Sequence, residues 1–273
     1  DFESGLIRAS VGQATLRVLD LVAFSGSFAF SAESRREVTL TDGTDKEVAI
    51  LTVAAQNVYG FVGTNGPYRW DTNKDGVIDA ADPVNEEAVG FAIDNFNLGM
   101  AIAVGSELFN PSLYFAMKAT ADTIGFVGIP GLSTDSDGMD IAVNVGLSLE
   151  SSAAIDFSKF EGGGLLIGFG GTGSGGSSGD ESRFLNFSNS VLKGHLTARI
   201  SFMGVEFDGT FGFDEGRNDS TVLVVSANFK VAVGDLTLYQ SLASGVLQIG
   251  DGGLAGKILL DSENLDPLAG LNI

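Results

Sequence analysis

Large and small side chains alternate along much of this chain. In Phe24-Ser25-Gly26-Ser27-Phe28-Ala29-Phe30 every large residue falls on one parity, the period-2 pattern of a β-strand. The stretches Val38 to Leu40, Val48 to Val53, Ile93 to Val104, Ile141 to Leu149 and Val222 to Val233 are also rich in strand-forming residues. Helical periodicity with caps is nearly absent, and the best short helix spans Pro83 to Val89. The pattern predicts an all-β, elongated, mainly antiparallel repeat architecture, either solenoid-like or made of rolled or sandwiched sheets. Large residues of one parity share one face, so Phe24, Phe28, Phe30, Phe207, Phe211 and Phe213 are expected to turn inward.

The pattern also repeats. Phe24-x-Gly26-x-Phe28-x-Phe30 returns as Phe207-x-Gly209-x-Phe211-x-Phe213, and Gly60-Phe61-Val62-Gly63 returns as Gly125-Phe126-Val127-Gly128. Similarity of this kind marks units that bury their faces against neighbours. Gly171 to Gly179 (GTGSGGSSG) is a flexible low-complexity stretch just ahead of the second copy. The expected division is a first β repeat over 1–170, with an insertion at about 66–88, a Gly/Ser-rich loop or joint over 171–182, and a second, partial repeat over 183–273.

Composition narrows the partners. The 273 residues are 44% hydrophobic, enough for a large core, and carry a formal net charge of −20. Acidity of this size excludes nucleic acid, which needs a basic footprint, and disfavours an anionic membrane surface. It suits solubility in salt and the binding of divalent cations. There are no cysteines, so disulfides and thiolate chemistry are absent. No apolar run is long enough to span a bilayer as a helix. The chain opens on Asp1 rather than Met, which is expected of an internal segment or a processed product.

One motif carries chemistry. Asp71-Thr72-Asn73-Lys74-Asp75-Gly76-Val77-Ile78-Asp79-Ala80-Ala81-Asp82 fits a twelve-residue EF-hand-type calcium loop. Asp71, Asn73 and Asp75 supply oxygens at the first, third and fifth positions, and Gly76 allows the sharp turn. Val77 offers its backbone carbonyl, Asp79 binds directly or through water, and Asp82 closes the loop. Ile78 is the apolar anchor. Gly66 to Trp70 do not read as a helix, so the loop is an isolated structural element, with Pro83 starting a short helix after it. The shorter closing carboxylate resembles dockerin-type and other extracellular bacterial calcium loops. Asp135-Ser136-Asp137-Gly138-Met139-Asp140 is a weaker acidic cluster, either a second ion site or an ordinary turn. Asp42-Gly43-Thr44-Asp45 reads as a hairpin turn.

No catalytic residue is nominated. The sole histidine, His195, lies in an alternating strand, and no nucleophile elbow, P-loop or dinucleotide fingerprint occurs. The expectation is a non-enzymatic protein.

The runs Leu16 to Phe30, Val38 to Gly43, Leu51 to Gly63, Ala88 to Met100 and Ala116 to Leu132 resemble repeats of gigantic bacterial extracellular proteins of the adhesin-like and haemolysin-type calcium-binding kind. The resemblance covers about residues 10 to 150 well and the rest loosely. It implies an extracellular or cell-surface location and a structural or adhesive role within an array or filament. The partners so implied are neighbouring repeats or like chains, with cell-surface glycans or proteins as possible adhesion targets. The Ca2+ assignment rests on spacing within the insertion and not on the family. Two other functions compete. Strands such as Leu192-x-Gly194-x-Leu196 followed by Phe207-x-Gly209-x-Phe211 are similar to those of envelope bridge proteins that cradle acyl chains. Tyr68 and Trp70 beside the loop would suit a carbohydrate-binding platform. The fate of the phenylalanines separates these: buried between sheets they favour the rod, lining an open groove they favour lipid.

Overall fold

The alternating stretches become long strands that pair in the order they are made. The computed structural model describes residues 6–105, 112–148, 151–168, 181–203, 205–215, 221–233, 236–250 and 253–263. The strands are β1 (Leu6–Val18), β2 (Val22–Thr39), β3 (Asp45–Thr64), β4 (Val89–Gly105), β5 (Leu113–Ala121), β6 (Thr123–Val127), β7 (Leu132–Leu147), β8 (Leu165–Leu166), β9 (Phe184–Leu185), β10 (Val191–Phe202), β11 (Val205–Glu215), β12 (Thr221–Val233), β13 (Leu236–Gly250) and β14 (Gly253–Glu263). All but β8 and β9 form one 12-stranded sheet, ordered β1-β2-β3-β4-β5-β7-β10-β11-β12-β13-β14, with β6 beside β4. The described pairings are antiparallel, and the sheet is not closed. The chain is therefore all-β, as the alternation predicts. Gly171 to Gly179 lie outside the described residues; the short strands on either side of them, β8 and β9, pair with each other, and β7 and β10 pair directly in the large sheet.

Each strand has two faces, and they differ in kind. On β4 one face carries Phe91, Ile93, Phe96, Leu98, Met100 and Ile102, while the other carries Ala92, Asp94, Gly99, Ala101 and Ala103. Directly paired residues share a face, so the pairs Leu98↔Ala55, Met100↔Met117 and Met117↔Val143 extend the large-residue face across the sheet. The described parts of the segment 152–190 form a strap over the small-residue face. Phe157, Phe160, Ile167, Leu185 and Phe187 from this strap pack on Val48, Ile50, Ala54, Ala101, Ala103, Tyr114 and Ala116. Phe157 and Phe187 meet edge to face, 6.4 Å between centroids. Small residues beneath let the strap lie close. A Cβ on Gly99 would sit 2.5 Å from the Ser182 carbonyl oxygen.

This arrangement reverses the expected direction of the phenylalanines. The buried parity of β2 is Ala23, Ser25 and Ala29, whereas Phe24 and Phe28 are half-buried and Phe30 is 46% exposed on the opposite, open face. The core under the strap takes small sheet residues because its own large side chains come from the strap. The side chains of Phe207, Phe211 and Phe213 lie outside those described. Their backbone pairs with Ile200, Leu196 and Gly194, as that of Phe24 pairs with Leu16, so both Phe-x-Gly-x-Phe-x-Phe strands form the second strand of an antiparallel hairpin.

A line of extra residues crosses the sheet at mid-strand. β3 takes an extra residue at Asn57 (φ 50) and β4 another at Asn95 (φ 53). The chain leaves β5 and re-enters as β6 through Asp122, and β7 bulges at Gly138 (φ 84). Asparagine tolerates the left-handed region that most side chains avoid. Polar bonds link the crease. The Asn57 amide donates to Asn97 Oδ1 (2.9 Å), Asn95 Nδ2 to Asp122 Oδ2 (2.8 Å), and the Gly138 amide to the Asp122 carbonyl (3.0 Å). The acidic cluster Asp135 to Asp140, expected as a turn or ion site, thus lies inside β7, where the bulge at Gly138 absorbs it. Asp42 to Asp45 do form the β2–β3 turn, with Gly43 at φ 84. The Thr44 amide donates to Asp42 (3.0 Å), and this bond holds the Asp42 carboxyl below its usual range.

Substitutions at two positions test this frame. Asn144 on β7, 1% exposed, donates to the carbonyls of Ile155 (2.9 Å) and Asn189 (2.8 Å) and so ties both limbs of the strap to the sheet. Asn144→Ala is expected to cost about 2–3 kcal/mol by orphaning those carbonyls, read as a lower urea midpoint; an unchanged midpoint would refute the clamp. Asn95→Ala is expected to cost about 1–2 kcal/mol and Asn95→Gly distinctly less, since glycine keeps the left-handed backbone. Equal losses would show that the backbone requirement is not the cause.

Candidate metal centre

Residues 65–88 connect β3 to β4 and carry the acidic loop. A short ladder closes its base. Arg69 bridges Val84, the Trp70 amide donates to the Pro83 carbonyl (3.2 Å), and the Asn85 amide donates to the Tyr68 carbonyl (2.6 Å). The Asn85 side chain adds bonds to the carbonyls of Asn65 (2.7 Å) and Pro67 (3.0 Å). The expected helix over Pro83 to Val89 is absent for this reason. The backbone of 83–85 is already spent on pairing back to 68–70, and from Val89 onward the chain is β4.

The insertion is fixed to the small-residue face by a largely covered ion pair. Arg69 Nη2 lies 2.6 Å and Nε 3.1 Å from Asp94 Oδ2, with both side chains largely covered, and Nη1 donates to the Asp82 carbonyl (2.8 Å). The bond to Asp94 raises the Arg69 pKa above its ordinary value against the opposing effect of burial. Burial and the nearby Asp94 carboxylate both push the phenols of Tyr59 and Tyr68 up. Ile78, expected as the apolar anchor of the loop, is half-buried and lines a small cleft together with Ala23, Phe61, Tyr68 and Arg69. Neither Arg69 nor Asp94 was nominated from the sequence. A lone carboxylate interrupting the apolar run Phe91 to Met100 is the signal that could have found the pair, because such a group is buried only with a partner.

Within the loop the nominated residues bend the chain around themselves. Asp71 Oδ2 accepts from the Gly76 amide (3.0 Å), Asn73 Oδ1 from the Asp75 amide (3.0 Å), and Asp75 Oδ1 from the Val77 amide (2.8 Å). Asp79 Oδ1 accepts from the Ala81 amide (2.7 Å). Gly76 adopts φ 82, the sharp turn its position requires. Asp82 is 2% exposed, and its two oxygens accept from the amides of Thr72 (3.3 Å) and Asp79 (3.1 Å), joining the two ends of the loop. Asp71 Oδ1 is buried with no hydrogen-bond partner. Among the described residues no three acidic or histidine side chains converge at metal-ligand spacing. The structure thus gathers Asp71, Asn73, Asp75, Val77, Asp79 and Asp82 around one turn without drawing their carboxylates into a closed shell.

The other candidates stand apart. Tyr68 packs against the core around Phe61 and Ala88, while Trp70 is 40% exposed with the Arg17 guanidinium 5.3 Å from its ring centroid. His195 lies on β10, half exposed, with Nδ1 3.4 Å from Asp140. Arg69→Met is expected to strand the Asp94 carboxylate and cost about 3 kcal/mol, while Arg69→Met with Asp94→Leu recovers most of the loss. Thermal melts of the three proteins decide; a harmless single variant would mean that the pair does not hold the insertion.

No helix among the described residues is long and apolar enough to cross a membrane. No family model matches this chain, and neither a curated protein nor a solved structure is similar to it.

Proposed function

We propose that this chain is a calcium-stabilised, non-catalytic structural module of a very large bacterial surface or extracellular protein, with an adhesive role within an array of such units. The observation that carries the calcium reading is the buried, uncompensated acid of the insertion. Asp71 Oδ1 has no hydrogen-bond partner, and the buried Asp82 carboxylate accepts from the backbone amides of Thr72 and Asp79, while the nearby Arg69 pairs its charge with Asp94 and reaches Asp82 only at the carbonyl. Burying carboxylate oxygen without a counter-charge is costly. A hard divalent cation that prefers oxygen ligands removes that cost. Asp71, Asn73, Asp75, Asp79 and Asp82 would supply side-chain oxygens and Val77 its carbonyl. The ion would organise the insertion and perform no chemistry.

Support for the array comes from the strand order. The sheet follows the sequence from β1 through β14, so neighbouring units can add strands at an open edge and lengthen one sheet. The division into a first unit over 1–170 and a partial second unit over 183–273, joined through 171–182, belongs to this proposal.

At calcium one hundred times above Kd, binding stabilises the folded state by about 2.7 kcal/mol, a rise of several degrees in Tm for a chain of this size. The expected result is a higher Tm in calcium than in chelator, with the difference abolished in Asp75→Ala and Asp82→Ala. Calcium should also slow proteolytic cutting between Asp71 and Asp82. Identical melts in calcium and chelator, with no calcium retained by the purified protein, would leave the loop as a plain acidic turn.

A further inference from the structure

The strap does not pack everywhere on the sheet. Residues Leu165 to Gly168, which include β8, and the small-residue face of β1, β2 and β3 enclose a cavity of about 160 Å³. Part of its lining is apolar and deeply placed: Ala29, Ile50 and Ile167 are 2–6% exposed. Ser31 and Thr52 add a polar strip, their hydroxyls bonded to each other at 2.7 Å. Arg8, Glu33 and Arg36 complete the lining, and all three reach solvent.

The charge of this cavity runs against that of the chain. Acids outnumber Lys and Arg by 35 to 15 overall, yet here two guanidiniums meet one carboxylate. Arg36 is already committed. Its Nη1 lies 3.3 Å from Glu33 Oε2, and its guanidinium sits 4.4 Å from the centroid of the Phe160 ring. Arg8 forms no ion pair among the described residues. It is paired in register with Ser31, so it rises from the face that lines the cavity. One uncompensated guanidinium thus stands beside a buried apolar wall.

We propose that this cavity binds a small organic monocarboxylate, with the carboxylate on Arg8 and the apolar body against Ile50 and Ile167. A cavity of about 150 Å³ admits a benzene ring, so the body is a single ring or a short branched chain. The planar fork of a guanidinium matches a carboxylate with two parallel hydrogen bonds. A dianion such as phosphate would bring its second charge against Glu33 and leave the apolar wall wet. Water alone would satisfy the hydroxyls but would hydrate Ile50 and Ile167 at a cost that an apolar body removes. The net charge of −20 does not forbid an anion here, because charges beyond about 8 Å are screened at physiological salt, whereas Arg8 acts at contact. This assignment is independent of the calcium reading and of the array.

The test titrates the whole chain with benzoate, followed by calorimetry and by saturation-transfer NMR on the ligand. The expected Kd is on the order of 1 mM for a ligand of this size, the same in calcium and in chelator. Benzamide, which has the body without the charge, and acetate, which has the charge without the body, should each bind about tenfold more weakly. Arg8→Gln should weaken benzoate about tenfold with Tm unchanged, and Arg8→Lys should weaken it less. Arg17→Gln removes the same charge from the same strand away from the cavity, and should leave the Kd unchanged. Absence of benzoate binding at about 10 mM, ten times the expected Kd, would overturn the proposal. Benzamide binding as tightly as benzoate, or equal Kd values for Arg8→Gln and Arg17→Gln, would overturn it as well.

Discussion

An extra residue in a β-strand turns every following side chain to the other face. In this sheet β3 and β4 each take one, at Asn57 and Asn95, and the β5–β6 break at Asp122 and the β7 bulge at Gly138 continue the line. Because neighbours absorb the shift at the same height, the large residues stay on one side throughout. Ala54 and Phe61 have opposite parity on β3 yet face the same way. Both covered surfaces and the open one depend on this alignment. Without it, half of each strand would present Phe and Leu to the strap and alanine to solvent.

The small-residue face then divides its cover between two segments that are not strands of the sheet. Asn144 holds the strap by two carbonyls, and the Arg69–Asp94 pair holds the insertion. Both clamps are buried polar groups with full partners, the condition under which such groups stabilise a fold. The acidic loop is the exception. Its Asp71 Oδ1 is buried without a hydrogen-bond partner, while the Arg69–Asp94 pair beside it is complete.

The opposite face carries ample apolar surface, with Phe30, Phe91 and Phe126 each 41–48% exposed. The acidic loop and the strap thus lie on one face of the sheet, and the exposed apolar residues of the described strands lie on the other.

The strands, their antiparallel pairing, the Asp42–Asp45 turn and the position of the insertion were legible in the sequence, because period-2 alternation and turn chemistry act over a few residues. The tight turn at Gly76, which adopts φ 82, was legible for the same reason. Alternation assigns Phe24, Phe28 and Phe30 to one face; it does not say what covers that face. That was decided by the described parts of 152–190, which have no periodicity of their own and reach the chain just beyond β2 through the bridge Leu40↔Ile155, far apart in the sequence. The absent helix at Pro83 and the bulge within Asp135 to Asp140 were likewise set by pairing with distant backbone, at 68–70 and on β10. Local sequence determines parity, and only long-range contacts determine which parity is inside.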